Sequence, residues 1–268
     1  MDKLKISINK LNYWVNPNGY KSFWKLVNQE KWEYETFLVF DSNINEQTLF
    51  IDIGGWIGPT SLYGAQLAKK TLSLEPDPIA YRRFKENLDL NTFSQKKIKL
   101  LNLALWFEET SISFISDTQI GDSTSSLIRE NKSISKDITF EAKTITFENL
   151  IKDINLNEFN KVFVKIDIEG AEYILFDYLL EKLSDINASF LVSTHPWLLN
   201  KKSKKGFLRR FNQAYDHWKF CQKIKKYKYK LITSSKNFPY IPLINLIGWI
   251  LIGRMHQDIL ALPYNLKD

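Results

Sequence analysis

The chain has 268 residues, 44% apolar and 25% charged, which is the make-up of a globular protein with its own core and excludes a disordered or fibrous chain. A single cysteine, Cys221, excludes an internal disulfide and fits a reducing, cytoplasmic setting. The net charge of +7 is uneven: residues 200–230 hold twelve Lys or Arg against Asp216 alone, a local +11 that leaves −4 for the rest.

Residues 1–18 are polar and aromatic and end in the turn-like Asn16-Pro17-Asn18-Gly19. They lack the apolar run of a signal peptide. Two short helices rich in Trp, Tyr and Phe are predicted over 20–28 and 31–40, as a lid or buttress. Thr48–Ile53 reads as the first core strand, and 59–69 as its helix, with Pro59 at an early helical position. A second strand over 71–75 stops at Glu75-Pro76-Asp77-Pro78, and a helix over 79–90 and a third strand over 97–103 follow. This βαβαβ run predicts the first half of a doubly wound α/β sheet.

Residues 105–115 and 138–144 read as hairpin material around a polar, hydroxyl-rich loop over 116–137. A short helix over 147–152 precedes a fourth strand over 161–167, almost continuously apolar, as for a strand buried on both faces. A helix over 170–183 and a fifth strand over 188–194 lead into His195-Pro196-Trp197. A basic helix follows over 203–226, in which Phe207, Phe211, Tyr215 and Trp218 recur at a spacing that reads as a packing stripe. The last strand candidates are 227–233 and 258–262. Between them lies an apolar stretch, 241–253, shorter than the roughly 20 residues that span a bilayer. It reads as a buried helix or an oligomer contact, with a shallow membrane contact through 200–253 as the other option. One domain is predicted, with an N-terminal helical extension over 1–44 and a core over 45–268.

The stretch Leu49-Phe-Ile-Asp-Ile-Gly-Gly-Trp-Ile-Gly58 is a strand, a glycine turn and a helix start, a unit that places ligands at the carboxyl end of a parallel sheet. Asp52, Gly54 and Gly58 are its candidate ligand-binding residues. Glu75 follows Asp52 by 23 residues and ends the second strand, where a carboxylate takes ribose hydroxyls. Pro76 adjoins it, and Asn102 and Ala104 end the third strand beside the expected adenine position. A dinucleotide turn needs Gly-x-Gly-x-x-Gly to seat a pyrophosphate, and Trp56 stands at the second glycine. The pattern favours S-adenosylmethionine, which has no phosphate and whose ammonium Asp52 would hold.

A second constellation, Lys165-Ile-Asp-Ile-Glu-Gly-Ala-Glu172, lies on the same sheet edge. Strand alternation points Lys165, Asp167 and Glu169 to one side. Asp167 is the residue expected to face the transferred methyl, and Glu172 reads as a helix-start residue favoured by the dipole. His195, just after the fifth strand, is a candidate general base. His217 and His256 read as structural, and no Cys/His/carboxylate spacing suggests a zinc site, so no metal is expected.

Three blocks resemble the FkbM-type methyltransferases of the class I S-adenosylmethionine-dependent fold. Phe50-Ile-Asp-Ile-Gly-Gly-Trp-Ile-Gly58 resembles the family's Asp-Ile/Val-Gly-Ala-Asn-x-Gly turn. Thr144-Ile-Thr-Phe-Glu-Asn-Leu-Ile151 with Val162-Phe-Val-Lys-Ile-Asp-Ile-Glu-Gly-Ala-Glu172 resembles its Lys-Ile/Leu-Asp-Ile/Val-Glu-Gly-Ala-Glu block. Ser193-Thr-His-Pro-Trp197 resembles its strand-five ending. Gly55-Trp56 stands where the family has Ala-Asn, and Ser193-Thr194 where it has an acidic residue. The resemblance implies a Rossmann-like, mostly parallel sheet of seven strands with helices on both faces, in the order 3-2-1-4-5-7-6 with the last strand antiparallel. It also implies O-methylation of a sugar, glycan or natural-product hydroxyl.

On this reading the catalytic candidates are Asp167, His195 and Glu169, and the cofactor-binding ones Asp52, Gly54, Gly58, Glu75, Pro76, Asn102, Ala104 and Asp167. Two rivals stand beside it: an RNA methyltransferase that uses the basic 200–230 segment, and an inactive methyltransferase-like interaction module.

Overall fold

The computed structural model of the chain describes residues 2–116, 121, 138–199, 206–233, 242–252 and 258–264. In chain order they form β1 (Leu4–Ile8), β2 (Leu11–Val15), α1 (Lys21–Asn28), α2 (Tyr34–Asn43), β3 (Thr48–Ile53), α3 (Pro59–Leu67), β4 (Lys70–Leu74), α4 (Pro78–Asp89), α5 (Thr92–Lys97) and β5 (Ile98–Leu101). Then come β6 (Ala104–Leu105), β7 (Ser111–Ser116), β8 (Ile138–Ile145), α6 (Phe147–Ile151), β9 (Lys161–Ile166), α7 (Glu172–Leu183), β10 (Ala188–Ser193), α8 (Phe207–Lys226), β11 (Tyr229–Thr233), α9 (Pro242–Ile252) and β12 (Asp258–Pro263).

Every residue of β3 and β10 is buried, and every residue of β9 after Lys161. A strand covered on both faces needs apolar side chains in both phases, hence the continuous apolar runs. The two phases feed two cores. Leu49, Ile51 and Ile53 pack with Leu175 and Phe176 of α7 and with Phe220 and Ile224 of α8. Phe50 and Phe163 point the other way, into a cluster with Trp24, Phe37, Phe40 and Leu62.

The main sheet runs β5-β4-β3-β9-β10-β12-β11, parallel throughout except that β12 is antiparallel to both its neighbours. This is the order that the resemblance implies. It gathers the β3–α3 turn, the end of β4, the β9–α7 turn and the end of β10 at one edge. Beside it, β8 pairs with β7 antiparallel and with β6 parallel, in a small separate sheet.

Two expectations need correction. The N-terminal extension is not purely helical: β1 and β2 form a hairpin that buries Ile6, Ile8, Tyr13 and Val15. Its alternation covers only a few residues and its turn, at Asn9 with φ +50°, lacks the glycine that signals a hairpin. Asn91 fastens it to the sheet layer, accepting from the backbone N–H of Trp14 at 2.8 Å and donating to the Trp14 carbonyl at 2.7 Å. The aromatic stripe of α8 is not its packing face. Phe207, Phe211, Tyr215 and Trp218 are exposed, and the helix buries Gln213, Ala214, His217, Phe220, Cys221 and Ile224. Helical spacing defines a face but not its partner, and the smaller Ala214 and Cys221 allow the closer approach to the sheet.

His217 is structural, as expected: it is buried beside the Tyr173 hydroxyl at 3.0 Å, and burial pulls its imidazole down to about 3. Cys221 lies in the core. His256 and all of the 117–137 loop except Gly121 lie outside the described residues. No helix among the described residues is long and apolar enough to cross a membrane.

Candidate active site

A cavity of about 300 Å³ opens at the carboxyl edge of the sheet. Gly54, Gly55, Trp56, Glu75, Pro76, Lys165, Asp167, Glu169 and His195 line it. It is therefore walled by the segments that the motifs single out.

The β3–α3 turn is defined by what it leaves out. Gly54 has φ +87°, and a Cβ there would stand 2.0 Å from the carbonyl oxygen of Asp167. The two turns thus touch backbone to backbone. Gly58, at φ +96°, would drive a Cβ to 2.5 Å from the Phe84 ring, so it serves packing and is not on the cavity wall. Trp56 is also left-handed, at φ +46°. Its ring meets Phe23 and Tyr20 edge to face, and its Nε1 donates to the Gly121 carbonyl at 3.1 Å.

Glu75 ties this turn to the end of β4. Its Oε2 accepts from the backbone N–H of Trp56 and its Oε1 from that of Asp77, each at 2.8 Å. Burial pushes its carboxyl up to about 8, against those two N–H donors. Each oxygen keeps a second lone pair for a ligand hydroxyl. Asn102 does not reach the cavity wall; it donates to the carbonyls of Glu75 and Pro76 at 2.8 and 3.1 Å and fixes that corner. Ala104 is buried with Phe114, Phe140 and Ala142, also off the wall.

Asp52 is fully buried and does not line the cavity. Its Oδ2 accepts from Thr60 at 2.8 Å and from Ser61 at 2.5 Å. Among the described residues its Oδ1 has no hydrogen-bond partner, and it lies 3.9 Å from Lys165 Nζ. Burial raises its carboxyl above the usual carboxylate range, against Lys165, Ser61 and Thr60. The structure therefore places Asp52 beneath the turn, as a support for α3 and for Lys165.

The β9–α7 turn carries the charge. Lys165 Nζ lies 3.2 Å from Asp167 Oδ2. Burial works against its charge, but Asp167, Asp52 and Glu33 outweigh it and hold the ammonium charged. Burial likewise works to raise Asp167, and Lys165 and His195 pull it below the usual range. His195 is buried, with Nε2 3.7 Å from Asp167 Oδ1 and 3.6 Å from Glu169 Oε1. Its Nδ1 sits 3.1 Å from Glu172 Oε1, which also accepts its backbone N–H at 2.7 Å. Burial disfavours its charged form, but Glu172, Asp167 and Glu169 raise the imidazole to about 9.

Glu172 is thus more than a helix-start residue. It is fully buried, and its Oε2 accepts from Gly170 N–H at 2.6 Å. It supplies from α7 the acid that is missing before His195 in the sequence. Sequence reasoning also missed Glu33, Phe23, Trp32, Phe114 and Asp258 on the cavity wall. Local pattern carries no signal for them, because separate elements deliver them.

Residues 52–231 match the family model of the Methyltransferase FkbM domain. No curated protein matches the sequence. Among solved structures, the chain is similar to the methyltransferase FkbM of Methylobacillus flagellatus KT, at 14% identity and a TM-score of 0.44, over 89% of this chain and 52% of that one. It thus spans about half of that protein. A precorrin-6y C5,15-methyltransferase of Geobacter metallireducens is similar at 11% identity and a TM-score of 0.41, over 84% of each chain. A Streptococcus mutans protein in complex with SAH is similar at 10% identity and a TM-score of 0.44, over 84% of this chain and 93% of that one.

Proposed function

The chain belongs to the FkbM methyltransferase family and is an S-adenosylmethionine-dependent methyltransferase; on that premise we propose that it methylates a hydroxyl of a sugar, glycan or small natural product. The observation that carries this reading is the meeting of the Asp167, Glu169 and His195 side chains on the cavity that Gly54 and Glu75 also line.

The cavity suits the cofactor. Gly54 and Gly55 leave bare backbone, since a Cβ at either position would collide with its neighbours. Glu75 offers spare lone pairs to two hydroxyls. Asp167, held below the usual carboxylate range by Lys165 and His195, gives the wall a carboxylate that suits a cofactor of net positive charge. Gly54, Gly55, Glu75 and Pro76 would hold it. When bound, it supplies a methyl group on a sulfonium, which departs as a neutral thioether with the bonding electron pair.

The protein's part is then positioning and proton management. The acceptor oxygen directs a lone pair at the methyl carbon and sheds its proton as the new C–O bond forms. Asp167 is the proposed proton acceptor: its Oδ2 is held by Lys165, and its Oδ1 faces His195. Glu172 keeps the imidazole aimed at that point.

The test is a panel of acceptors with the purified protein and S-adenosylmethionine. The panel holds sugars, a glycan and an RNA oligonucleotide, the last because α8 exposes Phe207 and Phe211 among Arg209, Arg210 and its lysines. Mass spectrometry should find a hydroxylated acceptor one methyl group heavier, methylated on oxygen. Transfer to nitrogen or to RNA alone overturns the reading.

A further inference from the structure

Among the described residues, Glu33, Glu75, Asp167, Glu169 and Asp258 line the cavity together with Lys165, which Asp167 and Asp52 engage. We propose that Asp167, Glu169 and His195 bind a divalent metal ion, whose remaining positions take oxygens of the acceptor. This deepens the O-methyltransferase reading and rests on it.

The geometry comes first. One donor atom from each of the three residues lies within 4.8 Å of the other two. His195 Nε2 stands 3.7 and 3.6 Å from the two carboxylate oxygens, beyond the range of a good hydrogen bond. Donors that share an ion at about 2.1 Å stand roughly 3.0–3.4 Å apart, so a small closure completes the shell. The histidine is also prepared as a ligand. Its Nδ1 is taken by the fully buried Glu172, which leaves Nε2 turned toward Asp167 and Glu169. A carboxylate behind the far nitrogen is how proteins orient ligating histidines.

Glu33, from the residue before α2, lines the same cavity, and among the described residues its buried Oε2 has no hydrogen-bond partner. A buried carboxylate oxygen is costly unless something positive completes it.

One imidazole nitrogen and two carboxylate oxygens suit Mn²⁺ or Mg²⁺ better than a thiolate-seeking ion. Three protein ligands in a six-coordinate shell leave open positions for two neighbouring hydroxyls, as on a sugar ring. The ion would hold those oxygens and ease loss of the hydroxyl proton, with no change of oxidation state.

The test is Mn²⁺ binding by the full chain, followed by calorimetry and by the electron paramagnetic resonance of free Mn²⁺, with SAH affinity measured in parallel. Wild type should bind one ion per chain, with Mg²⁺ in competition. Asp167→Asn and Glu169→Gln should each weaken binding roughly ten-fold or more. Urea unfolding of metal-free Glu169→Gln should match that of metal-free wild type, which reports an intact fold. A protein that binds SAH but no Mn²⁺, or whose two variants bind Mn²⁺ as tightly as wild type, overturns the ion site and leaves the methyl-transfer reading standing. A protein that binds Mn²⁺ through these residues but methylates nitrogen supports the ion site and removes the O-methyltransferase reading.

Discussion

Between Gly54 and Gly58 the β3–α3 turn carries no ionisable side chain; between Asp167 and Glu172 the β9–α7 turn carries three carboxylates. Both turns join a central strand to a helix at the same edge, and they touch where Gly54 meets the Asp167 carbonyl. The first works by bare backbone, so added atoms break it. The second works by charge held in place, so removed atoms break it. On the proposed reading, the difference separates what would seat the cofactor from what would handle the acceptor.

The largest effect should come from adding one methyl to the first turn. Gly54→Ala places a Cβ 2.0 Å from a backbone oxygen that has nowhere to move, at a positive φ. We expect a loss of about 3 kcal/mol or more in urea unfolding, and loss of SAH binding. Next is the removal of a carboxylate from the second turn. Glu172→Ala strips the acceptor from Gly170 N–H and His195 N–H and the partner from His195 Nδ1. It should cost about 2–3 kcal/mol. Glu172→Gln should keep more of that stability while kcat still falls, because the imidazole loses its charged partner.

A smaller loss should follow beneath the first turn. Ser61→Ala removes one of two hydroxyl donors to Asp52 and should cost about 1–2 kcal/mol by the same unfolding measurement. The pH response sharpens the comparison from another side. Glu75 is raised from 4.5 to about 8, and Glu33 likewise, in both cases by burial first. A carboxyl raised in the folded state gives stability that is fully present below pH 4.5 and lost as pH rises through about 8. Unfolding midpoints of the ligand-free chain should fall across that window, and Glu75→Gln should flatten the slope. The smallest effect should lie far from both turns: Leu208→Ser, on the exposed face of α8, should shift stability by no more than about 0.5 kcal/mol.

The sequence made the two turns legible because each sits in a short local pattern. β3 was found to the residue, since six apolar or buried positions end at a glycine turn. Glu75, singled out by its distance from Asp52, and Lys165, Asp167 and Glu169, singled out by strand alternation, all stand on the cavity wall. Contributions that depend on tertiary packing were not legible. Glu172 orients His195 across 23 residues of chain, and Glu33 and Asp258 come from the residue before α2 and from β12. The role of Asp52 changed for the same reason: periodicity marks the end of a strand but does not say whether its carboxylate meets ligand or the Thr60 and Ser61 hydroxyls. The outer face of α8 misled because an aromatic stripe looks the same whether it meets a core or solvent.

The position of β12 has a consequence for how the protein is made. It is translated after every other strand described here, yet it lies between β10 and β11, and among the described residues β11 pairs with no other strand. While a nascent chain still lacks it, the edge of β10 is open and β11 has nothing to zip onto, an arrangement prone to edge-to-edge association. Asp258, its first residue, pairs with Ser193 and reaches the cavity wall. The polypeptide therefore acquires a continuous seven-stranded sheet and the last of its cavity carboxylates, Asp258, together, once β12 has been made.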